Sequence, residues 1–472
     1  QPQITECDGK NVGTIILRGG IELDAVTVTA QKKLVKNEVD RTTYDVQGDT
    51  DAKSSSVIEI LRKVPFVTVD GQGNIKVNGS SNFKVYRNGR PSRNYTNNSK
   101  DVLSSIPADM VKNIEVITEP GAKYDGESAD AILNIITNDK LSMDGVVGTA
   151  QGAYSASGQH YGSLFLTTQV RKFTLGGNYS VQRLSHDGTY HYGDEEYLYK
   201  TSGNVQRISD KGDNLGWLHN MELEASYEMN ARNLFSLSFG GYSYDVDINY
   251  NKTTSLFSRN NTVIYSYAEN LHDSYQRFFD FNGHIDYQHL TGREGEALTF
   301  SYLLSTTNTR QRADWVYSDM ENMPVDYSAF DSRKKNNFAE HTFQFDWERP
   351  LSEHHQLSMG TKYIFRDNSS LSQFGYDNGT KNHTDFAHYT HIAAVYGEYR
   401  FTSGAWNARA GMRYEYSYID AHYKDGSNPD FAKHLGDWIP SLGISYKVND
   451  RNTLKLNYLS RIYRPGISYL NP

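Results

Sequence analysis

The sequence predicts a transmembrane antiparallel β-barrel preceded by a small α+β domain, and three observations carry that prediction. The first is composition: 35 Tyr, 20 Phe and 5 Trp make the chain 13% aromatic although only 37% of it is hydrophobic. Much of its apolar surface is therefore tyrosine, a side chain with an apolar ring and a wet end that suits a membrane boundary. The second is a change of texture: from Gly145 onward the chain is a long series of aromatic-rich alternating segments without a helical period. The third is rhythm. Tight connections at Arg171-Lys172, Asn230-Ala231-Arg232, 291–295, 350–354, 402–404 and Asn449-Asp450-Arg451 alternate with polar ones at 184–214, 251–275, 312–336, 367–385 and 419–437. Short turns at one end and long loops at the other mark an outer-membrane meander, short side periplasmic, and a soluble sandwich or propeller has no need of it.

Other bulk properties exclude more than they select. Mean hydropathy is -0.66, which a barrel tolerates because its lumen face and outer loops are polar. No apolar run reaches the eighteen or so residues of a transmembrane helix. A net charge of -8 with scattered Lys and Arg offers no basic field for nucleic acid. The single Cys7 can form neither an internal disulfide nor a zinc or redox motif.

Along the chain, residues 1–20 read as the remnant of an upstream domain, and 21–40 as a strand-forming segment and linker. Within it Ile21 to Ala30, IELDAVTVTA, alternates after a Gly19-Gly20 break. It reads either as a segment that adds to another protein's sheet edge or as the last strand of the upstream domain. Residues 41–140 form the α+β domain. Ser56 caps a helix whose apolar face is Val57-Ile58 and Ile60-Leu61 and which Pro65 stops. Short strands follow at Val67-Thr68-Val69, Ile75-Lys76-Val77 and Lys84 to Arg87, punctuated by Asp70-Gly71, Asn78-Gly79 and Asn88-Gly89 turns that accept positive φ. One or two short helices lie over 101–110. Then Glu115 to Thr137 reads strand, compact loop, strand, with Gly121 and Gly126 as breakers. With few apolar side chains per element this domain is marginal alone and needs a container.

The container is residues 141–472. About thirteen strands are expected: 145–154, 161–170, 173–182, 217–227, 234–250, 278–288, 297–309, 338–347, 356–365, 388–401, 406–418, 438–448 and 453–462. A barrel that holds a folded plug has about twenty-two, and an open sheet cannot sit in lipid, so the expectation is a barrel completed by further sequence or by another chain. Asp245, Asp247, Asn249 and Asn251, at period two, read as a polar lumen face rather than a calcium site. No metal site and no cofactor is expected, and no paired carboxylates, Ser/His/Asp spacing or phosphate loop points to an enzyme.

Several of these stretches resemble the TonB-dependent outer-membrane receptors, in particular their outer-membrane β-barrel branch. Val64-Pro65-Phe66-Val67, Val85-Tyr86-Arg87-Asn88-Gly89-Arg90-Pro91 and the opening of the final strand pair look like plug signatures. So do the plug-motif residues Glu115, Pro120, Gly121, Lys123, Tyr124, Asp125, Gly126 and Asn134. Leu23, Asp24, Ala25, Val26, Thr27, Val28 and Thr29 look like the TonB box. Trp438 to Gly443, Ser460 to Pro465 and Leu470-Asn471-Pro472 are similar to mid-barrel sequence of that branch. Two positions depart: Thr118-Glu119-Pro120-Gly121 stands where the wider family has Arg-Gly-Pro, and Asp130-Ala131 replaces a Gly-Gly. The missing arginine removes the expectation of a plug-to-barrel ion lock.

The resemblance implies active import of a glycan, peptide or metal chelate across the outer membrane of a Gram-negative bacterium, with a plug in the lumen and TonB and its inner-membrane motor as partners. Outer-membrane lipid, and a surface lipoprotein or other complex subunits, are further expected partners. The alternative is a barrel that serves as a binding or assembly component without transport. Arg87, Arg90, Tyr192, Asp194, Glu195 and Tyr197 are the candidate ligand-facing residues.

Overall fold

The computed structural model describes residues 34–71, 73–91, 95–96, 99–124, 131–137, 145–323, 325–449, 452–462 and 464. The candidate TonB box, Asp125 and Gly126 fall outside these.

The plug is built on a six-stranded sheet in the order β1 (Val35–Asn37), β2 (Arg41–Asp45), β7 (Val111–Ile117), β8 (Ala131–Thr137), β5 (Phe83–Arg87) and β6 (Arg90–Pro91). Every neighbouring pair is antiparallel except β5 with β8. A separate hairpin joins β3 (Val67–Val69) to β4 (Ile75–Val77). The turn between β5 and β6 behaves as its chemistry predicts, for Asn88 and Gly89 sit at φ 48° and 77°. Helix α1 (Val57–Leu61) starts at Ser56, whose N–H donates to the Glu59 carboxylate at 2.7 Å. Helix α2 (Ser99–Ser105) packs on it. The plug core, with Val57, Ile60, Leu61, Val85, Leu103, Ile114, Val116 and Leu133 buried, runs on into Phe165, Leu218 and Tyr242 of the wall. The small domain thus borrows apolar surface from its container, as a domain with so few apolar residues must.

The wall is one continuous antiparallel sheet of thirteen strands, from β9 (Gly145–Tyr154), β10 (His160–Val170) and β11 (Phe173–Leu184) to β22 (Thr453–Leu459), with β12 (His191–Tyr199) paired outside the path to β13 (Asn204–Asn230). Between these run β14 (Asn233–Phe257), β15 (Val263–Leu290), β16 (Ala297–Glu321), β17 (Ala329–Pro350), β18 (His355–Tyr376), β19 (Lys381–Ser403), β20 (Trp406–Tyr423) and β21 (Phe431–Lys447). One face carries Phe300, Phe343, Val395 and Leu456 exposed, and the other buries Ser301, Gln344, Glu398 and Arg409. Apolar residues therefore point outward and polar ones inward, the reverse of a soluble protein and the arrangement a bilayer requires. No helix among the described residues is long and apolar enough to cross a membrane.

The tight turns lie where expected, but most of the residues read as long loops continue the strands. The 251–275 stretch is β14 and β15 joined after Phe257, and 184–214 contains a one-turn helix, α3 (His186–Thr189), and β12. A membrane crossing takes about 9–11 residues, so strands of 25 to 28 residues such as β14 and β15 project well beyond it. Polar, tyrosine-rich sequence satisfies its backbone there by the same ladder. The reading of Asp245 and Asp247 as lumen residues is corrected for the same reason. They share the outward face of β14 with exposed Phe235 and Phe239 while Tyr242 and Val246 are buried; beyond the hydrocarbon, the outward face can carry polar groups.

Candidate functional site

The stretch 119–122 crosses between β7 and β8 and is seated on the inner face of β19 and β20. The Ala122 N–H donates to Glu398 Oε2 at 3.2 Å, and Arg409 Nη1 donates to the Glu119 carbonyl at 2.9 Å. The approach needs Gly121, where an added Cβ would collide with Glu398 Oε2 and lie 2.8 Å from Arg409 Nη1.

Beside this seat lies an ion cluster that joins the plug's first strands to the wall. Asp40, fully buried, accepts from Arg41 at 3.1 Å and from Arg400 of β19 at 3.0 Å, with Arg409 of β20 at 3.8 Å. Glu398 takes Arg400 at 2.9 Å and Arg409 at 3.9 Å. On the plug side Arg41 reaches Glu115 at 3.2 Å, and Glu115 also accepts from Asn134 Nδ2 at 2.8 Å. Three carboxylates (Asp40, Glu115, Glu398) thus face three guanidinium groups (Arg41, Arg400, Arg409), and Glu38, which approaches Arg41 at 3.8 Å, is itself paired with Lys36 at 2.6 Å, so the cluster is neutral as a whole. Burial alone raises the Asp40 carboxyl, but Arg41, Arg400 and Arg409 overcome it and hold it at about 2. Tyr124 packs edge-on to Tyr86 at 5.6 Å, and burial pushes its phenol up to about 12.

No ion lock was expected here, because the plug lacks the arginine at Thr118-Glu119-Pro120. The structure corrects that: the decisive carboxylate is the plug's Asp40, the arginines come from the wall, and a partner 360 residues away cannot be read from spacing. The cluster left a faint signal, an Asp40-Arg41 step followed by charged residues at inward positions of two neighbouring strands, Glu398 and Arg400, Arg409 and Arg413.

A second contact links the other edge of the plug sheet to β13. Arg87 pairs with Glu222 at 3.2 Å and with Glu224, and is buried. Its expected place facing ligand is corrected, since its guanidinium is held by wall carboxylates. Fully buried Tyr95 lies against Glu222, and burial raises its phenol well above the ordinary range. Lys123 meets Glu348 at 3.1 Å in a half-open pair, Tyr124 joins the buried cluster, and Asn134 Oδ1 accepts the Gly89 N–H at 2.9 Å. Tyr192, Asp194, Glu195 and Tyr197 lie on exposed β12, where the Tyr197 hydroxyl donates to Glu195 at 2.6 Å. They are not brought to the plug contacts.

Sequence reasoning also missed an aromatic wall on the upward extensions of the strands. Trp315 stacks with Phe330 at 6.1 Å and meets Tyr250 edge-on at 6.3 Å. Tyr317 joins Tyr267 at 5.8 Å and Tyr327 at 5.9 Å, and Tyr327 reaches Tyr376 at 4.8 Å. The Lys252–Glu269 pair, 3.4 Å, lies among them. Each aromatic pair is ordinary; the signal is that residues on five strands converge.

Comparison with known families decides the assignment. Residues 34–132 match the TonB-dependent Receptor Plug Domain and residues 289–472 the Outer membrane protein beta-barrel family. The chain belongs to the TonB-dependent outer-membrane receptors. It is therefore an outer-membrane protein, and its matched families and structural relatives are receptors and transporters rather than enzymes. Similar solved structures include the unliganded ferric citrate transporter FecA, at 14% identity and TM-score 0.57, covering 88% of this chain and 62% of that one. The ferric-catecholate import receptor Fiu from K12 E. coli, closed form, matches at 11% and 0.55 over 89% of this chain and 65% of its own. The ferripyoverdine receptor of Pseudomonas aeruginosa matches at 14% and 0.55 over 90% and 57%. The chain thus spans less than two thirds of each of these receptors, and at such identities the likeness is one of fold. No curated protein matches its sequence.

Proposed function

We propose that this receptor imports a ligand across the outer membrane, driven by tension that TonB and its inner-membrane motor apply to Leu23 to Thr29. The observation that carries the reading is where the plug's leading end is fastened. Val35–Asn37 is the outermost strand of the plug sheet, and Lys36 to Asp40 share a cavity with Pro350, Ser352 to Gln356 and Thr402, residues of the tight-turn, periplasmic end. Asp40, the residue that ties this end to the wall, lies in the connection between β1 and β2. Tension from the N-terminal side therefore opens β1 from β2 one hydrogen bond at a time and arrives at Asp40 before it reaches the rest of the sheet.

The ligand is a glycan, a peptide or a metal chelate. The relatives named above handle ferric chelates, and the aromatic wall around Trp315 and Tyr317, facing the lumen above the plug, supplies stacking surface for any of the three classes. The test is deletion of Leu23 to Thr29, with ligand bound at the cell surface and ligand accumulated inside counted separately. Binding is expected to persist while accumulation is lost; accumulation that survives the deletion refutes import by this route.

A further inference from the structure

The outward face of β15–β18 carries charges that a lipid-facing wall does not need. In the register Asp245↔Arg277↔Arg310↔Lys335↔Leu371, three cations stand directly opposite one another on successive strands. Like charges at directly opposed positions destabilise a sheet. One carboxylate answers them: Asp245 pairs with Arg277 at 3.1 Å, and the Arg277 guanidinium lies over the Tyr275 ring at 4.4 Å. One register step higher the charges balance, Arg312 with Asp314 at 2.5 Å and Arg333 with Asp331 at 3.8 Å. Arg310 and Lys335 are exposed and, among the described residues, have no ion-pair partner.

Their height gives the imbalance a meaning. Arg277, Arg310 and Lys335 lie 13 to 15 residues from the tight-turn ends of their strands at Leu290, Ala297 and Pro350. A tilted strand crosses the hydrocarbon in about 9–11 residues, so these cations stand at the level of the outer leaflet's head groups, where long side chains can also reach down toward the interface. Below them, within the hydrocarbon band, the same face holds an apolar groove of about 760 Å³ across β15–β20. Thr361 and Ala393 are its smaller lining residues beside Phe300, Phe343, Tyr363 and Tyr416. Tyr302 lies at its β16 side and Arg310 eight residues further along that strand. That rise is about 20 Å, close to the depth of one leaflet with its head group.

We propose that this face is a binding site for one outer-leaflet lipid with a phosphorylated saccharide head group. An acyl chain occupies the groove, and the phosphate is held between Arg310 and Lys335. A phosphate there removes the like-charge repulsion and receives charge-assisted hydrogen bonds, with Arg310 able to bind it through two N–H groups at once. The site lies outside the lumen, so it stands whether or not the chain transports anything.

The test is native mass spectrometry of the full chain released from mild detergent. The probes are a bisphosphorylated, acylated diglucosamine lipid and the same lipid stripped of phosphate. The wild type is expected to retain the phosphorylated probe with at least about a tenfold preference, the scale of a hydrogen bond to a charged group. R310Q/K335Q is expected to lose the preference yet keep weak retention of both probes, and Ala393→Trp, which fills the groove, to reduce both. Retention that ignores phosphate in the wild type overturns the proposal, and so does a preference that persists in R310Q/K335Q. Because the first comparison uses the unmodified chain, a variant that fails to assemble does not blunt the test.

Discussion

Replacing Asp40 with asparagine tests whether the ion cluster fastens the plug. The side chain keeps its shape and loses its charge, leaving Arg400 and Arg409 to share Glu398 alone. The depression of Asp40 from 3.8 to about 2 corresponds to about 2 to 3 kcal/mol in favour of the ionised form in the folded state. Removing one member of a buried ion pair costs about 3–5 kcal/mol by general experience, so a loss of about 2 to 5 kcal/mol in the seating of β1 and β2 is expected. Hydrogen exchange of the Val35 to Asp45 amides in the detergent-solubilised chain reads it directly. Protection should fall by at least about thirtyfold, with amides in the middle of β17 unchanged. The sign of the pH dependence is fixed as well. A carboxylate whose pKa is depressed on folding contributes fully above its unfolded value of 3.8 and loses that contribution as pH falls toward about 2. Protection of β1 and β2, corrected for intrinsic exchange, should therefore decline across that window in the wild type and decline less in D40N, where Asp49, which accepts from the Tyr44 hydroxyl and is also depressed, still titrates. A change of under threefold at neutral pH, or the same pH profile in both proteins, would refute the argument that Asp40 holds this end.

Gly121→Val should separate the 119–122 loop from the wall, because the new side chain must displace Glu398 and Arg409 together; protease cleavage within 119–130 of folded protein should rise at least several-fold, and unchanged cleavage would mean the contact is not required. Arg87→Met should weaken plug retention through the two glutamates it strands, Glu222 and Glu224. Adding E222Q should restore part of the loss by removing the uncompensated buried charge, and a double variant no more stable than R87M would show that the pair acts independently.

What was legible in the sequence was what local chemistry controls. Asn78-Gly79 and Asn88-Gly89 adopt positive φ because those residues pay little steric cost for it, and the tight turns of the wall fell where polar breakers interrupt alternation. The upper limits of the strands were not legible. Beyond the hydrocarbon no lipid enforces an apolar outward face, so the alternation that identifies β14 or β16 fades at about Tyr250 or Thr309 while the ladder continues to Phe257 and Glu321. The plug contacts were hidden for a different reason. Ala122 and Glu398 lie 276 residues apart, Asp40 and Arg400 lie 360 apart, and each looks ordinary until the wall curves round the plug.

The Asp40 and Arg87 contacts of the plug differ in what a pull from the N-terminus can do to them. Asp40 lies in the connection between β1 and β2, so once β1 is peeled away the load falls on its carboxylate and on the edge of β2 against β7. Arg87 lies at the end of β5, three strands on from β2 across the sheet with β7 and β8 between, and β5 is held to β8 by a parallel ladder from Phe83 to Arg87. Hydrogen bonds loaded one at a time yield at lower force than a ladder loaded as a unit, so the Asp40 side is the one that gives. Because the cluster is neutral as a whole, withdrawing Asp40 and Arg41 together removes one charge of each sign. Glu398 is left with Arg400 and Arg409, so the wall's own net positive charge at the mouth of the opened path loses its partner in the plug. The import proposed above therefore calls for only partial opening beside β19 and β20, with Arg87 still pinning the far edge to β13.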